Sequence, residues 1–232
     1  MENRFFLKPV FRKPIIKPKE GFNVKIEMLS ITPNAEKLIE TAGRTAYLSH
    51  NRQTENTEKK FIKMLLSKGH HSVFEHAYAT FRITGVSRSF THQLVRHRLC
   101  SFTQQSQRYV NETNFIYIEP ESIKEKPEAH AVFTDIMAKT KEAYLALQKL
   151  GIKNEDARFV LPNAVESQIV ITANLREWRH IIELRGSKSA QWEIRFAVLE
   201  ILRLLKQYIP NVFADFIIDQ TTMTVKKSID CQ

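Results

Sequence analysis

Glycine is scarce in this chain, and that scarcity limits the folds that the chain can adopt. Only six of the 232 residues are glycine, whereas glycine averages about 7% of residues in soluble proteins. Because tight turns between strands often need the positive φ angles that glycine adopts, so few glycines argue against a β-sandwich or a propeller. The sequence also contains neither GxGxxG nor GxxxxGK[ST], which excludes a Rossmann fingerprint and a P-loop.

Apolar periodicity predicts a chain in which helices outnumber strands. Helices are predicted over residues 35–48, 57–67, 129–150, 154–159, 175–184 and 190–208, with a further helix from Ser87 or Ser89 to about Arg98. Strands are predicted at 24–31, 77–86, 115–118 and 167–172. The longest helix carries an apolar stripe formed by Val132, Ile136, Ala143, Leu147 and Leu150. The predicted fold class is α+β, a single helix-rich domain around a central antiparallel or mixed sheet.

Composition divides the chain into an arm, a domain and a tail. Residues 1–21 form a basic, proline-containing N-terminal arm, which we expect to be extended. Residues 22–220 contain no internal repeat or flexible linker and are expected to form the single domain, followed by a C-terminal tail at 221–232. The arm could contact nucleic acid or be a solvated tail, and the solvated tail is favoured.

Cysteine use and hydropathy predict a cytoplasmic protein. Cys100 and Cys231 are far apart in sequence, which is not a disulfide framework and fits a reducing compartment. No apolar run approaches the roughly 18 residues that indicate a membrane-spanning helix. The basic N-terminus is not followed by the apolar segment of a secretory signal. We therefore expect no membrane partner.

The strongest local signal is a stretch that has arginine but no acid and no lysine. Residues 76–111 contain no Asp, Glu or Lys, and their five arginines are Arg82, Arg88, Arg96, Arg98 and Arg108. A guanidinium presents a fixed fork of donors that can bind a phosphate or a carboxylate through two hydrogen bonds at once. The stretch therefore predicts a pocket for a polyanion. The alternative is a helix face whose arginines pair with acids from elsewhere in the chain.

Within this stretch, residues 93–109 carry the densest polar chemistry. We expect a helix that ends in Arg96-His97-Arg98, where the helix macrodipole favours cations. Neutral groups that can bind a base, a ribose or an isoalloxazine ring without repelling a phosphate follow at Ser101, Thr103, Gln104, Gln105, Ser106 and Gln107. Because cations lie at both ends of this run, a ligand site is favoured over a polar surface loop.

Five motifs in order resemble one family. The spacing of Arg96-His97-Arg98, seven residues and Ser106 resembles the RHR-x7-S signature of the flavin-dependent thymidylate synthases. Further similar segments are 69–76 (GHHSVFEH), 156–162 (DARFVLP), 174–185 (NLREWRHIIELR) and 191–195 (QWEIR). The family often has Asn at the position of Thr103 and Glu at that of Gln104, and both departures remain polar. The segments together indicate membership over residues 22–220.

The resemblance implies a particular reaction and assembly. Members of the family methylate C5 of the uracil in dUMP to give dTMP, with methylenetetrahydrofolate as the carbon donor and NADPH as the reductant through bound FAD. The implied fold is α+β of the thymidylate synthase-complementing type. The implied active form is a homotetramer with active sites shared between subunits, so the expected partners are dUMP, folate, NADPH and further copies of the chain.

The resemblance also implies roles for individual residues. Arg185 matches the arginine assigned to the activation of dUMP, which makes it the implied catalytic residue and a dUMP contact. Further contacts to dUMP are implied for Gln93, Arg96, Gln104, Gln105, Ser106, Gln107 and Arg108, with Arg158 joining from another subunit. Contacts to FAD are implied for Ser72, Arg96, His97, Arg98, Gln104, Asn174, Arg176 and His180.

Other side chains invite a covalent or a metal-dependent mechanism. Cys100 lies near two arginines that would lower the pKa of a thiol, but its apolar neighbours favour a small apolar filler. Ser106 has no acid near it in sequence to orient a base, so a binding hydroxyl is favoured over a nucleophile. The metal hypothesis rests on His70, His71, Glu75 and His76. Their spacing matches neither HExxH nor HxxEH, so no metal is expected.

Charge leaves one rival function from another class. The net charge is +10, and a basic, non-catalytic nucleic-acid-binding protein would use the arm and the arginine stretch on phosphates. Surfaces of that kind usually include lysine, which the arginine stretch lacks. Such a protein would also show an affinity that falls steeply with salt and would carry no chromophore.

Overall fold

An antiparallel sheet forms the centre of the fold. The structure is a computed structural model that describes residues 24–228, so the arm at 1–21 lies outside the described residues. The strands of the sheet are β1 (Lys25–Ile31), β2 (Tyr78–Ser87), β3 (Cys100–Gln104) and β4 (Glu166–Asn174). They lie in the order β1-β2-β4-β3, and each neighbouring pair is antiparallel. The predicted α+β class with a central antiparallel sheet is confirmed.

Helices precede, follow and separate these strands. They are α1 (Ala35–Thr45), α2 (Glu58–Ser67), α3 (Arg88–Leu94), α4 (Glu121–Lys124), α5 (Pro127–Lys149), α6 (Asn154–Ala157), α7 (Leu175–Arg185) and α8 (Trp192–Tyr208). Short 3-10 helices lie at His50–Arg52, His71–His76 and Arg158–Val160. A hairpin of β5 (Phe216–Asp219) and β6 (Thr224–Lys227) follows, so the predicted tail contains a strand. Among residues 24–228, no helix combines the length and the apolar character of a membrane span.

The buried face of the sheet anchors α7. Residues of β2 alternate between buried and more exposed positions, which is the period-two pattern of a strand with one face in the core. On the buried face, Phe81 of β2 lies opposite Ile171 of β4. Trp178 of α7 packs edge-on against Phe81, with ring centroids 5.0 Å apart, and its indole N–H donates to the carbonyl of Ala79. Helix α7 is therefore held against the sheet by both packing and a hydrogen bond.

Two helices begin directly at strand ends, and each start is capped. Asn174 accepts a hydrogen bond from the N–H of Glu177 at the start of α7. Ser87 accepts one from the N–H of Phe90 at the start of α3, as predicted for that position. The buried carboxylate of Glu193, in the first turn of α8, accepts from both the backbone N–H and the hydroxyl of Ser87. Helix α8 thereby fixes the place where α3 begins.

The helix predicted to run to Arg98 is shorter, and the strand after it was missed. Helix α3 ends at Leu94, and residues 95–99 form turns that reverse the chain into β3. Polar residues alternate with Cys100 and Phe102 in β3, and pairing with β4 overrides their weak strand signal. Arg96, His97 and Arg98 consequently lie on a turn and not on a helix, because the chain must turn back to pair with β4.

Two further expectations differ from the structure. Residues 115–118 form no strand among the described elements, and only an isolated bridge joins Tyr117 to Val165. The long helix is confirmed as α5, but its apolar stripe does not face the core. Val132 is 71% exposed and Ile136 is 50% exposed, whereas the buried side chains of this helix are Met137 and Tyr144. An apolar period locates a helix, but it does not say which surface covers the apolar face.

Candidate active site

His97 lies at the centre of a hydrogen-bonded cluster between the turn after α3 and helix α7. Its side chain is buried, with Nδ1 3.3 Å from Oε1 of Glu177. Its Nε2 accepts a hydrogen bond from Nε of Arg185 at 3.0 Å. The ring of His180 lies edge-to-face with it, with centroids 5.7 Å apart. Residues 177 and 185 are eight apart on one helix, so they lie on the same face of α7.

The partners of His97 determine its tautomer and charge. A guanidinium N–H can only donate, so Nε2 of His97 carries the lone pair and the ring proton lies on Nδ1, towards Glu177. Burial, together with Arg185 and His180, lowers the pKa of His97 to about 4. The imidazole is therefore neutral near pH 7 and bridges an acid and a cation.

Arg185 is held at two points and keeps donors for a ligand. Besides its bond to His97, it donates through Nη2 to the backbone carbonyl of Gln93 at 3.2 Å. Burial, followed by the neighbouring Arg96, lowers the pKa of Arg185. Within residues 24–228, its Nη1 has no hydrogen-bond partner. This guanidinium is consequently oriented without being saturated.

The arginines of the acid-free stretch do not all serve one pocket. Arg82 pairs with Glu27 across β1 and β2, and Arg108 pairs with Glu155. For these two, the alternative of pairing with acids from elsewhere is correct. Arg96 and Arg98 are exposed on the turn around His97 and have no ion-pair partner in the part of the chain that the structure describes. Arg88 donates to the backbone carbonyl of Gln105, so Arg96 and Arg98 are the two arginines of the stretch that remain available to a polyanion.

A second group of predicted residues lies at the far end of β3. The side-chain amide of Gln105 donates to Glu112, and the backbone carbonyl of Gln105 accepts from Arg88. The hydroxyl of Ser106 accepts from the N–H of Arg108 at 3.3 Å, and Gln107 is buried. Arg158 donates through Nε to the carbonyl of Glu155, the acid that also pairs with Arg108. Arg108 and Arg158 are thus linked through Glu155, and Ser106 joins them through Arg108, whereas Gln105 bonds separately to Glu112 and Arg88.

Strand β3 separates the two groups of predicted dUMP contacts. Gln104 ends the strand, and its amide donates to the hydroxyls of Thr91 and Ser167 at 2.8 and 3.3 Å. Over its five residues, a rise of about 3.3 Å per residue gives the strand a length of about 13 Å. Gln93 and Arg96 lie with Arg185 at one end, and Ser106 and Arg108 lie at the other. The bond from Gln104 to Thr91 nevertheless ties the far end of β3 to α3, the helix that carries Gln93.

The residues expected to contact FAD gather around α7. Arg176 pairs with Glu75 at 2.5 Å, which links α7 to the 3-10 helix that carries Ser72. Ser72, Arg176 and His180 are exposed, whereas the side-chain oxygen of Asn174 serves as the helix cap. His180 also borders the His97 cluster. The exposed donors and cations on this face have the chemistry that a dinucleotide with a negatively charged diphosphate requires.

Sequence reasoning missed the acids that orient these groups. Glu177 lies 80 residues from His97 in sequence, and Glu112 bonds Gln105 from outside the acid-free stretch. Burial raises the pKa of Glu177 and of Glu112. The one available signal was the spacing of Glu177 and Arg185 on a predicted helix, which places both on one face.

A metal ion is disfavoured at the only group of described residues with suitable ligand spacing. Ligand atoms of His97, Glu177 and His180 lie within 4.8 Å of one another. Metal coordination through Nδ1 of a neutral His97 would require the proton on Nε2, where Arg185 already donates. His70, His71, Glu75 and His76 form no such group among the described residues.

Cys100 does not have the character of a nucleophile. The side chain is half-buried and packs against the core. Burial, followed by the nearby Glu177 carboxylate, raises the pKa of this thiol to about 12. The two arginines that precede it in sequence therefore do not activate it, and the thiol stays protonated at neutral pH.

Comparison with known proteins identifies what the chain resembles as a whole. A family model described as thymidylate synthase complementing protein matches residues 27–211. A flavin-dependent thymidylate synthase from Geobacter sulfurreducens is 42% identical over 200 residues, which cover 83% of this chain and 86% of the relative. The one from Clostridium tetani is 39% identical over 212 residues, covering 82% and 85%. The one from Pyrococcus furiosus is 44% identical over 169 residues, covering 71% and 69%.

The family model extends over α7, α8 and all of the sheet except the first two residues of β1, and hence over the whole His97 cluster. They give no support to the alternative of a non-catalytic nucleic-acid-binding protein. The resemblance that five short motifs indicated is thus confirmed at the level of the whole chain.

Proposed function

Since this chain belongs to the thymidylate synthase complementing protein family, and its relatives include flavin-dependent thymidylate synthases, we propose that it catalyses the reductive methylation of dUMP to dTMP. The proposed carbon donor is methylenetetrahydrofolate, and the proposed reductant is NADPH acting through FAD. Cysteine use favours the cytoplasm as the place of this reaction.

The observation that carries the proposal is the way in which the Arg185 side chain is held. Its guanidinium is oriented by His97 and by the carbonyl of Gln93, and among residues 24–228 its Nη1 has no hydrogen-bond partner, so it is available to a ligand. C5 of uracil is a weak nucleophile that gains electron density when negative charge develops at N3 and O4. A fixed guanidinium beside the ring stabilises that charge without having to reorganise during the reaction. We therefore assign Arg185 the role of electrostatic activator.

The remaining dUMP contacts are assigned to residues from both ends of β3. Gln93 and Arg96 lie near Arg185, and the second group comprises Gln104, Gln105, Ser106, Gln107, Arg108 and Arg158. The phosphate of dUMP brings about two negative charges, which guanidinium groups can compensate through paired hydrogen bonds. The resemblance implies a site shared between subunits, and we propose that both groups contact dUMP in such a site.

The residues around α7 fit FAD as the cofactor. The proposed contacts are Ser72, Arg96, His97, Arg98, Gln104, Asn174, Arg176 and His180. Arg96 and Arg98 are exposed cations without an acid partner in the described range, which suits a diphosphate. When bound, the flavin would pass reducing equivalents from NADPH to the carbon that methylenetetrahydrofolate supplies. The chain's own contribution is to hold the flavin and uracil rings together, exclude water and keep His97 neutral.

A homotetramer with shared sites is the proposed assembly. Phe159, next to the proposed dUMP contact Arg158, is 83% exposed. Apolar residues on α5 are exposed as well, and a surface of this kind usually marks an interface. A neighbouring subunit would cover this surface and bring Arg158 towards the Arg185 end of another chain.

The first test is spectroscopic and enzymatic. The purified protein should show the visible absorption of an oxidised flavin. With NADPH and methylenetetrahydrofolate, it should release tritium from dUMP labelled at C5 and form dTMP. A colourless preparation that FAD cannot reconstitute, and that forms no dTMP, would contradict the proposal.

Substitution of Arg185 tests the assigned mechanism. Arg185→Ala should lower kcat by on the order of a hundredfold or more, because a preorganised donor to a developing oxyanion contributes roughly 3–4 kcal/mol. The KM for dUMP should rise much less. Arg82→Ala is the control, since Arg82 belongs to the same stretch but pairs with Glu27 on an exposed face. Equal losses in kcat and in dUMP affinity would indicate simple anchoring and contradict the activator role.

A further inference from the structure

We propose that Glu177 and His97 form a hydrogen-bonded chain that positions the Arg185 guanidinium for catalysis, an inference that rests on the proposed function. Both are positioning residues in this role. Glu177 acts on Arg185 only through the imidazole, and His97 sets the orientation of the guanidinium from its Nε side. His97 is also a proposed FAD contact, whereas Glu177 has no assigned ligand, so Glu177 is the residue that isolates this role.

The chain of contacts runs through buried atoms. The carboxylate of Glu177 faces Nδ1 of His97, and Nε2 of the same ring accepts from Nε of Arg185. The side chains of His97 and Glu177 are 3% and 8% exposed. Water therefore competes little for these hydrogen bonds. They are stronger than exposed ones and hold the imidazole and the guanidinium in a fixed orientation. The backbone of Glu177 is itself fixed, because its N–H donates to the cap residue Asn174.

The acid determines which ring nitrogen keeps the proton. A carboxylate can only accept, so Glu177 favours the proton on Nδ1 and leaves Nε2 as the acceptor that Arg185 needs. If the proton moved to Nε2, two N–H groups would face each other and the bond to Arg185 would be lost. The distance of 3.3 Å from Nδ1 to Glu177 is long for a hydrogen bond, as is frequent for catalytic contacts before a ligand binds.

The surroundings of His97 keep the imidazole neutral. The groups that face it are the Glu177 carboxylate, the Arg185 guanidinium and the His180 ring, and Arg96 in turn lowers the pKa of Arg185. Burial, the Arg185 guanidinium and the His180 ring each lower the pKa of His97. Together they outweigh the Glu177 carboxylate, so the pKa is lowered. A protonated ring would place a second cation against Arg185 and would offer it no acceptor.

Two fixed contacts define the plane of the guanidinium. His97 holds Nε and the carbonyl of Gln93 holds Nη2, which directs Nη1 outward. Orientation before the substrate arrives removes the reorganisation that a flexible arginine would need in the transition state. Loss of the Glu177 carboxylate should therefore slow the chemical step more than it weakens binding.

Glu177→Gln tests this role with little change in shape. The glutamine amide can donate to Nδ1, which allows the proton to lie on Nε2 and breaks the bond to Arg185. We expect kcat to fall about 10- to 100-fold, by analogy with the range seen when hydrogen-bond partners that orient metal-ligating histidines are removed. The KM for dUMP and the affinity for FAD should change by less than about threefold. Glu183→Gln is the matched control, because Glu183 lies on the same helix, is exposed and pairs with Lys227.

The tautomer can be measured in the wild-type holoenzyme labelled with 15N-histidine. NMR should show His97 with the proton on Nδ1 and Nε2 unprotonated at pH 7, and the Glu177→Gln variant should shift the ring towards the Nε2-protonated form. An active wild type with the proton on Nε2 would overturn this inference alone. So would a Glu177→Gln variant that keeps its kcat. A wild type that forms no dTMP would instead overturn the proposed function, and the catalytic role with it.

Discussion

At the scale of single residues, Cys100 shows how burial can outweigh charges that are close in sequence. Arg96 and Arg98 suggest an activated thiol, but they lie exposed on the turn while Cys100 points towards the core. Burial raises the pKa of the thiol to about 12. A reaction that needs no cysteine nucleophile is consistent with this environment.

We predict that Cys100→Ala keeps most of the activity. Since the thiol stays protonated and serves as a small filler, kcat should remain within about threefold of the wild type. The measurement is the rate of dTMP formation at saturating dUMP, together with the flavin content of the variant. A variant that folds, binds FAD and has lost activity by more than about a hundredfold would show that the thiol is required.

The lowered pKa of His97 makes the stability of the fold depend on pH. Its pKa is about 4 in the folded chain and 6.5 as the reference value. The unfolded chain therefore takes up the proton first as the pH falls. The stabilisation due to a neutral His97 is complete above about pH 6.5, declines between pH 6.5 and 4, and is absent below that range. It amounts to at most about 3 kcal/mol.

We predict a correspondingly smaller pH dependence in His97→Gln. The free energy of unfolding of the variant should fall less steeply than that of the wild type between pH 6.5 and 4. Chemical denaturation at fixed protein concentration, at several pH values in this window, measures both slopes. Parallel profiles for the two proteins would mean that His97 is not held neutral by the fold.

At the scale of elements, α7 joins the sheet, the Ser72 segment and the C-terminal hairpin. Arg179 on this helix donates to both carboxylate oxygens of Asp215, just before β5, at 2.7 and 2.6 Å. Its guanidinium also lies between the rings of Phe74 and Phe216, at 5.7 and 4.8 Å from their centroids. Because both partners of the ion pair are buried, it specifies where these elements meet.

We predict that Asp215→Ala destabilises the fold by about 3–5 kcal/mol, because it leaves the Arg179 charge buried without a counterion. The midpoint of urea unfolding at fixed protein concentration measures this effect. An Arg179→Leu, Asp215→Leu double variant should recover much of the loss, since it removes both charges. A double variant as unstable as the single one would indicate that the effect comes from lost volume or from the bond to Val212.

At the scale of the whole molecule, α5 exposes an apolar surface that the fold of a single chain does not cover. Ile136 and Val132 lie on the exposed side of this helix, with Phe133 and Ile123 beside them. A monomer would keep this apolar surface in water, whereas association with a second copy would bury it. The proposed sharing of active sites between subunits requires association as well.

We predict that Ile136→Glu weakens the assembly. A carboxylate buried at an interface without a partner is strongly unfavourable, so the variant should elute as a smaller species and lose activity at low protein concentration. Ala138→Glu is the control, because Ala138 is exposed on another side of the same helix. Light scattering after size-exclusion chromatography measures the mass of each. Equal masses for the wild type and both variants would place the interface elsewhere.

Local signals in the sequence were sufficient for most elements. Apolar patterns located α1, α2, α5, α7 and α8, alternation located β1 and β2, and an apolar, β-branched run located β4. Ser87 or Ser89 was predicted as the cap of α3, because a serine side chain can accept a free N–H group at a helix start, and the structure shows Ser87 in that role. Strand β3 and the end of α3 were not predicted correctly, since pairing with β4 decides both. Strands β3 and β4 pair through residues about 70 apart in sequence. Pairing at that distance produces no periodic pattern in the local sequence that could reveal the strand.

The sequence by itself determined the family, because the motifs that carry it are short, ordered and rich in residue types whose chemistry is specific. It also indicated Arg96, His97, Arg98 and Arg185 as site residues. Only the tertiary structure decided what these residues do to one another. Burial sets the charge of His97, and contacts across 80 residues and more bring Glu177 and Arg185 to it. Desolvation and direction of hydrogen bonds depend on distances between atoms, and those exist only once the chain has folded.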